Sequence, residues 1–246
     1  MCLEPREPWA PSVRTAFSVR SGGVSVGAFA SLNLGAHVGD DPAAVAENRR
    51  RLCSALALPS EPLWLSQQHG INVVDADNTP SSPQSAPIGD AAVTRKPGQV
   101  LAVLVADCVP VLLADAAGRA VAVAHAGWRG LSAGVIEAAV RALAIDPQRL
   151  RAWIGPGIGP AHFEVGEEVR AAFCGHDPQA AVAFERNPRG RWQCDLYRLV
   201  EQRLARSGVT SITGERRCTY AQSASFYSFR RDGATGRMAA LIWIPR

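Results

Sequence analysis

Lysine is nearly absent from this chain of 246 residues: of its 26 basic residues, Lys96 alone is a lysine. The arginines are scattered, with no run longer than Arg49–Arg51, so the formal charge of +4 offers no stripe or patch for a nucleic-acid backbone to follow. No stretch approaches the roughly eighteen apolar residues of a membrane span. The N-terminal run MCLEPREPWAPSVRT carries Glu4, Arg6, Glu7 and three prolines where a secretory signal needs an apolar core. These absences predict a soluble, cytoplasmic protein with neither nucleic acid nor membrane as a partner. The six cysteines, at 2, 53, 108, 174, 194 and 218, include no close pair, which excludes a zinc ribbon and a dense disulfide framework and predicts free thiols. Histidine is scarce too, with five in all and no His-x-His pair.

What is present is a large apolar fraction, 47%, enough for a full-sized core. SVRTAFSVR reads as a strand entering a Gly/Ser-rich loop, SGGVSVGAFASLNLGAHVGDD. Asp41 caps a helix with Pro42 in its first turn and Val45, Leu52, Cys53 and Leu56 on the inner face, which makes Cys53 a core residue. PLWLSQQHGINVVDA has β character on both sides of Gly70, so His69 stands where a strand bends or ends. NTPSSPQSAPI is a surface loop. QVLAVLVA, VPVLLAD and AVAVAHA lack the polar gaps of a surface helix and read as buried strands.

After GWRG comes a helix with Val135, Ile136, Ala139, Val140 and Leu143 inward. LRAWIGPGIGP is a strand ending in a loop, and GEEVRAAF a short helix. A longer helix starts at the Asp195 cap and stops at Gly208. SASFYSFR and RMAALIWI read as closing strands. Strands and helices mix without strict alternation, which predicts an α+β fold with a mixed, largely antiparallel sheet core and flanking helices. The expectation is a single domain over residues 1–246.

The stretch ADCVPVLLADAAGRAVAVAHAGWRG puts Cys108 and His125 at the two ends of one hairpin. A two-residue turn opposes Cys108 to His125 directly, on one face. A three-residue loop with Gly118 left-handed shifts the pairing by one and puts them on opposite faces, unless the chain bulges near Pro110. Taken singly, Cys108 is a small core residue and His125 a hydrogen-bonded one at a strand end. Together with His69 they offer two imidazoles and a thiolate to one divalent ion, with a fourth position open. Asp107, adjacent to Cys108, should face the other way and is no ligand. A metal-free Cys108–His125 thiol hydrolase dyad fits the same spacing.

Beyond these residues, the chain resembles the YfiH-type family, known also as the multicopper polyphenol oxidase or laccase-domain family and regarded as purine nucleoside phosphorylases. The resemblance is carried by RSGGVSVGAFASLNLGAHVGDDPAAVAENR, QQHG, GDAAVT, VADCVPVLL, AHAGWRG, GPGIGPAHFEVGEEV and FYSFRRDGATGRMAALIW. It implies an α+β fold and a zinc ion held by His69, Cys108 and His125. It also implies phosphorolysis of adenosine, inosine, guanosine and S-methyl-5′-thioadenosine, and deamination of adenosine. Arg20 matches an arginine the family uses at that site, and Ser31 and Asn33 lie in a block expected to line the pocket. The copper label implies phenol oxidation, for which the chain lacks His-x-His pairs. His162 stands where some relatives carry cysteine and is expected on the loop surface.

For deamination, zinc-bound hydroxide would attack C6 of adenine, yet the H-x-E and P-C-x-x-C elements of the familiar zinc deaminases are missing. Phosphorolysis needs donors for a phosphate dianion. The expected ones are the Arg20 fork, the N–H groups of the 21–23 loop and the start of the GWRG helix. Arg129 serves either the substrate or a stack beside Trp128.

Overall fold

In the computed structural model, residues 2–3, 9–79 and 85–246 are described. Most of the N-terminal run and the centre of the NTPSSPQSAPI loop therefore lie outside the described residues. The strands, in chain order, are β1 (Cys2–Leu3), β2 (Arg14–Ser18), β3 (Val73–Asp75), β4 (Ala91–Thr94), β5 (Val100–Val105), β6 (Val109–Asp115) and β7 (Val121–Ala126). They continue with β8 (Leu150–Ile154), β9 (Glu164–Val165), β10 (Phe184–Arg186), β11 (Trp192–Cys194), β12 (Ser211–Gly214) and β13 (Met238–Trp243). The helices are α1 (Pro42–Ala55), α2 (Trp128–Ala133), α3 (Val135–Leu143), α4 (Glu167–Cys174), α5 (Leu196–Arg206) and α6 (Phe229–Asp232).

The architecture is the expected mixed α+β. A six-stranded sheet runs β12-β8-β6-β7-β4-β3, parallel only at its two edge pairs. A four-stranded antiparallel sheet runs β1-β2-β13-β5, and a small antiparallel sheet runs β10-β11-β9. One core fills the space between the two large sheets, from Leu101, Val103 and Ile242 across to Leu112, Val123 and Trp153. A second lies where α3, α4 and α5 cover the other face of the six-stranded sheet, and a third where α1 backs β5 and β13. Sheets covered on both faces explain why β5, β6 and β7 are continuous apolar runs and not alternating ones.

Three expectations are corrected. The helical stripe of α1 runs Val45–Asn48–Leu52, which turns Cys53 to the rim, half-buried, with its thiol 3.4 Å from Glu61. SASFYSFR is not a strand: it is a turn leading into α6, and Phe226 and Tyr227 are buried although no sheet pairs with them. Tyr227 N–H instead donates to the Met238 sulfur at 3.1 Å. The β6–β7 hairpin has a four-residue loop in place of two or three, with Gly118 left-handed as expected (φ +70°). Ala116 and Ala117 do not favour the left-handed backbone that the tightest loops need, so the turn takes two residues more than those.

Candidate functional site

The hairpin register opposes Pro110, and not Cys108, to His125. A slip of two residues keeps the same parity, so both positions still belong to one face. Cys108 reaches the histidine because the chain breaks between β5 and β6. Asp107 there adopts φ +95°, a left-handed backbone that L-residues rarely enter. The break holds because Asp107 is buried with both oxygens engaged, accepting from the Thr219 hydroxyl at 2.6 Å and from Arg230 N–H at 2.7 Å. As the sequence indicates, it is no ligand; its part is to aim the residue beside it.

His69 arrives from a different segment. Gln67 pairs with the backbone of Leu104 in both directions, at 2.9 and 2.7 Å, which fastens this stretch to β5 as a strand partner would. His69 is itself left-handed (φ +58°). Asp90 stabilises that turn by accepting from the successive N–H groups of Gln68, His69 and Gly70 at 3.1, 2.9 and 2.7 Å. The same carboxylate meets His125 Nδ1 at 2.9 Å, so one buried residue orients both histidines. Burial pushes the Asp90 carboxyl up, but the His125 bond and the backbone donors outweigh it and hold it below the usual range. With Nδ1 engaged by a carboxylate, the Nε2 of His125 is left for a ligand, the usual arrangement at a metal-binding imidazole.

The result is a compact trio. Cys108 Sγ lies 3.8 Å from His69 Nε2, the two imidazole rings are 4.8 Å apart, and the three ligand atoms all fall within 4.8 Å of one another. Exposure grades from open at His69 to buried at His125, so the cluster has one accessible side. Gly127 makes room for it: a Cβ there would come 2.7 Å from His69 Cδ2 and 2.9 Å from the Cys108 sulfur. Burial alone raises the Cys108 thiol, but the charge of His125 and contacts with both histidines overcome it and draw it below its ordinary value. His125 moves the other way, burial being outweighed by Cys108 and Asp90.

Around a tetrahedral zinc, sulfur and nitrogen ligand atoms stand roughly 3.3–3.6 Å apart, given metal–ligand bonds of about 2.0–2.3 Å. Cys108 Sγ and His69 Nε2, at 3.8 Å, are close to that spacing, the trio as a whole lies within 4.8 Å, and a thiolate with two neutral imidazoles is a donor set zinc favours. His69, Cys108 and His125 thus fit a metal ion, and no second group of this kind occurs among the described residues.

The trio opens on a cavity of about 380 Å³, within the range of small-molecule sites. Trp128, Phe163 and Phe229 supply aromatic wall, while His37, Arg230 and Arg237 add positive or titratable groups. Arg129 lines it as well and lies 4.5 Å over the Trp128 ring, the stack expected for it. Arg20, Ser31 and Asn33 are not brought to this cavity. Arg20 forks onto the carbonyls of Ala30 and Ser223. Ser31 accepts from Gly22 and Gly23 N–H, and Asn33 is buried against Gly35 and Arg237. His162, stacked on Tyr220, takes no part in the trio. Sequence reasoning missed Asp90, Gln67, His37, Arg230 and Arg237. All five stand in the blocks that carry the family resemblance.

Known proteins match this arrangement along nearly its whole length. The family described as multi-copper polyphenol oxidoreductase laccase matches residues 14–245. A protein of Escherichia coli K12 named purine nucleoside phosphorylase YfiH is 49% identical over 242 residues, covering 98% of each chain. A Pseudomonas aeruginosa protein named purine nucleoside phosphorylase PA4543 is 48% identical, again over 98% of each. Among solved structures, Neisseria meningitidis protein NMB0706 superposes with a TM-score of 0.95 at 44% identity, covering 100% of this chain and 99% of that one. YlmD from Geobacillus stearothermophilus does so with 0.93 at 32% identity, covering 100% and 96%.

Proposed function

The chain belongs to this laccase-domain family of YfiH-type proteins, and from that premise we propose that it is a zinc-dependent purine nucleoside phosphorylase. Its substrates in this reading are adenosine, inosine, guanosine and S-methyl-5′-thioadenosine, with adenosine deamination as a side activity. The observation that carries the reading is the convergence of His69, Cys108 and His125 at one cavity with aromatic and cationic walls. Phosphorylase names on relatives matching nearly the whole chain add to it.

In phosphorolysis the C1′–N9 bond breaks, a phosphate oxygen bonds to C1′, and the proton of hydrogen phosphate ends on the purine. A zinc ion, when bound, acts as a Lewis acid that holds or polarises an oxygen or nitrogen of a reactant. The protein's own groups do the rest. Trp128, Phe163 and Phe229 give the flat purine apolar and stacking surface and keep water away. The cations along the wall balance the dianion and oppose hydrolysis by favouring phosphate over water. Asp90 and Asp107 spend their carboxylates on backbone N–H groups and on His125 or Thr219, so neither acts as a free acid or base.

A metal-free thiol hydrolase built on Cys108 and His125 is the second reading, favoured by the depressed thiol. Copper-dependent phenol oxidation has less behind it: a blue-copper centre adds a weak axial ligand, often methionine, to such a trio. Met238 turns its sulfur to Tyr227 N–H instead.

The deciding experiment incubates protein purified without added metal with adenosine, with and without phosphate, and separates the products. Adenine that appears only with phosphate, and is lost on chelation, is the expected result. Inosine alone would reduce the activity to deamination, and adenosine left intact with rapid inactivation by a thiol alkylator in chelator would favour the hydrolase.

A further inference from the structure

Of the donors expected to hold phosphate, Arg20 and the N–H groups of Gly22 and Gly23 are already used, whereas the start of α2 carries no side-chain cap. Arg20 Nε and Nη2 donate to Ala30 O and Nη1 to Ser223 O, while Gly22 and Gly23 N–H point at the Ser31 hydroxyl. Of the arginines lining the cavity, Arg129 is laid over Trp128, and Arg230 is turned away to Glu164 O at 2.8 Å and over the Phe163 ring.

Arg237 differs from Arg129 and Arg230 in burial, those two being exposed, and its guanidinium lies 5.9 Å from the centre of the Phe229 ring. It is half-buried at the cavity wall, and its Nη1 is pinned by two carbonyls, Thr235 O and Gly236 O, each at 3.0 Å. Its Nε and Nη2 have no hydrogen-bond acceptor among the described residues, and it makes no ion pair there. Asp107, the carboxylate whose charge acts on it, has both oxygens taken. A partly desolvated guanidinium without an anion is unfavourable by itself, and the free Nε–Nη2 edge is the fork that grips phosphate or carboxylate in two parallel bonds.

Its position is set with care. The Arg237 N–H donates to Asn33 Oδ1 at 2.9 Å, the oxygen that also accepts from Gly35 N–H, and a Cβ at Gly35 would come 2.8 Å from Arg237 Cγ. His37, from the same loop, faces the cavity, and burial, then the charge of Arg237, hold it below its ordinary value. The loop that sequence places in the pocket thus supports the site from behind.

We infer that Arg237, ordered by Asn33 and flanked by His37, is the oxyanion-binding arm of the cavity and holds the inorganic phosphate that attacks C1′. The assignment rests on the phosphorylase reading for its ligand. Asn33 is a positioning residue in it and Arg237 a binding residue.

The test uses the full-length, metal-containing protein and inorganic phosphate as the probe. Calorimetric titration with phosphate, and steady-state phosphorolysis with phosphate and inosine varied in turn, compare wild type with Arg237→Met and His37→Gln. The methionine keeps an unbranched stem against Gly35, and His37→Gln covers the case in which Arg237→Met does not fold. Arg237→Met is expected to weaken phosphate binding and raise the phosphate KM by roughly tenfold to a hundredfold, the loss of a charged, two-bond contact. His37→Gln raises it less, and the inosine KM and metal content stay at wild-type values in both. Phosphate binding lost in Arg237→Met, with wild type inert towards every nucleoside, would remove the phosphorylase reading and leave the subsite standing. Unchanged phosphate binding and KM in both variants would overturn the subsite and leave that reading intact. Adenosine 5′-monophosphate bound through Arg237 while inorganic phosphate is not would also overturn the assignment.

Discussion

Asp90 is the residue on which the geometry of the trio turns, because its one carboxylate fixes the left-handed His69 turn and the His125 ring together. Asp90→Asn keeps the shape but replaces one acceptor oxygen by an NH2 group facing backbone N–H donors. It is expected to weaken zinc affinity by about tenfold to a hundredfold, the usual range for partners of metal-bound histidines, as competition with a chelating dye would measure. Gly127→Ala is expected to be at least as damaging. Its methyl cannot fit between His69 and Cys108 unless one of them leaves, at a cost of about 1–3 kcal/mol in stability and with loss of metal. Elemental analysis and a thermal melt check both. His69, Cys108 and His125 were readable from sequence because each is a soft or borderline ligand beside a glycine, proline or strand break. Asp90 was not readable, since GDAAVT looks like any strand entry and only the fold carries the 67–70 segment to it. Arg237 escaped for a related reason: what sets it apart from the other arginines of the cavity, Arg129 and Arg230, is that it is half-buried, and burial is a property of surroundings.

At the scale of elements, the β6–β7 hairpin and the 20–34 loop carry predictions of their own. Asp115, buried at the hairpin turn, accepts from Arg119 Nε at 2.6 Å. Burial raises its carboxyl, but Arg119 and turn N–H groups prevail and hold it below the ordinary value of about 3.9. A carboxyl depressed by folding adds stability that is present above its unfolded pKa and lost as pH falls through the folded one. The gap between wild type and Asp115→Asn in urea unfolding should therefore be full at pH 7 and shrink below about pH 4; a gap that widened in acid would contradict this. In the loop, Arg20→Ala removes three bonds to carbonyls and the contact with the Tyr227 ring at 4.8 Å. The expected outcome is lower turnover and about 1–3 kcal/mol less stability, with metal content near normal, read by kinetics, melting and elemental analysis. Elements with a single clear period were legible: α3, α5 and the apolar strands β5 to β7 fall where the pattern puts them. SASFYSFR failed because its aromatics favour a strand while Phe226 and Tyr227 pack into the inter-sheet core from a turn.

For the whole molecule, the two large sheets and their helices form a stack in which the ligands come from three separate places: the 67–70 turn, the break before β6 and the end of β7. No short segment holds the site, so it exists only when the sheets are assembled. That dependence made the fold class easier to read than the register that joins the ligands: α+β follows from the mixture of periods, whereas pairing Pro110, and not Cys108, with His125 follows from two extra loop residues. The description of phosphate and purine handling also rests on the trio being a metal centre and not a dyad. Elemental analysis of protein purified without added metal, alongside phosphorolysis assays on wild type and Cys108→Ala, tests this most directly. About one zinc per chain is expected in wild type, with both zinc and activity lost in a folded Cys108→Ala protein. Metal-free Cys108→Ala protein that still cleaves adenosine in phosphate at the wild-type rate would contradict the account.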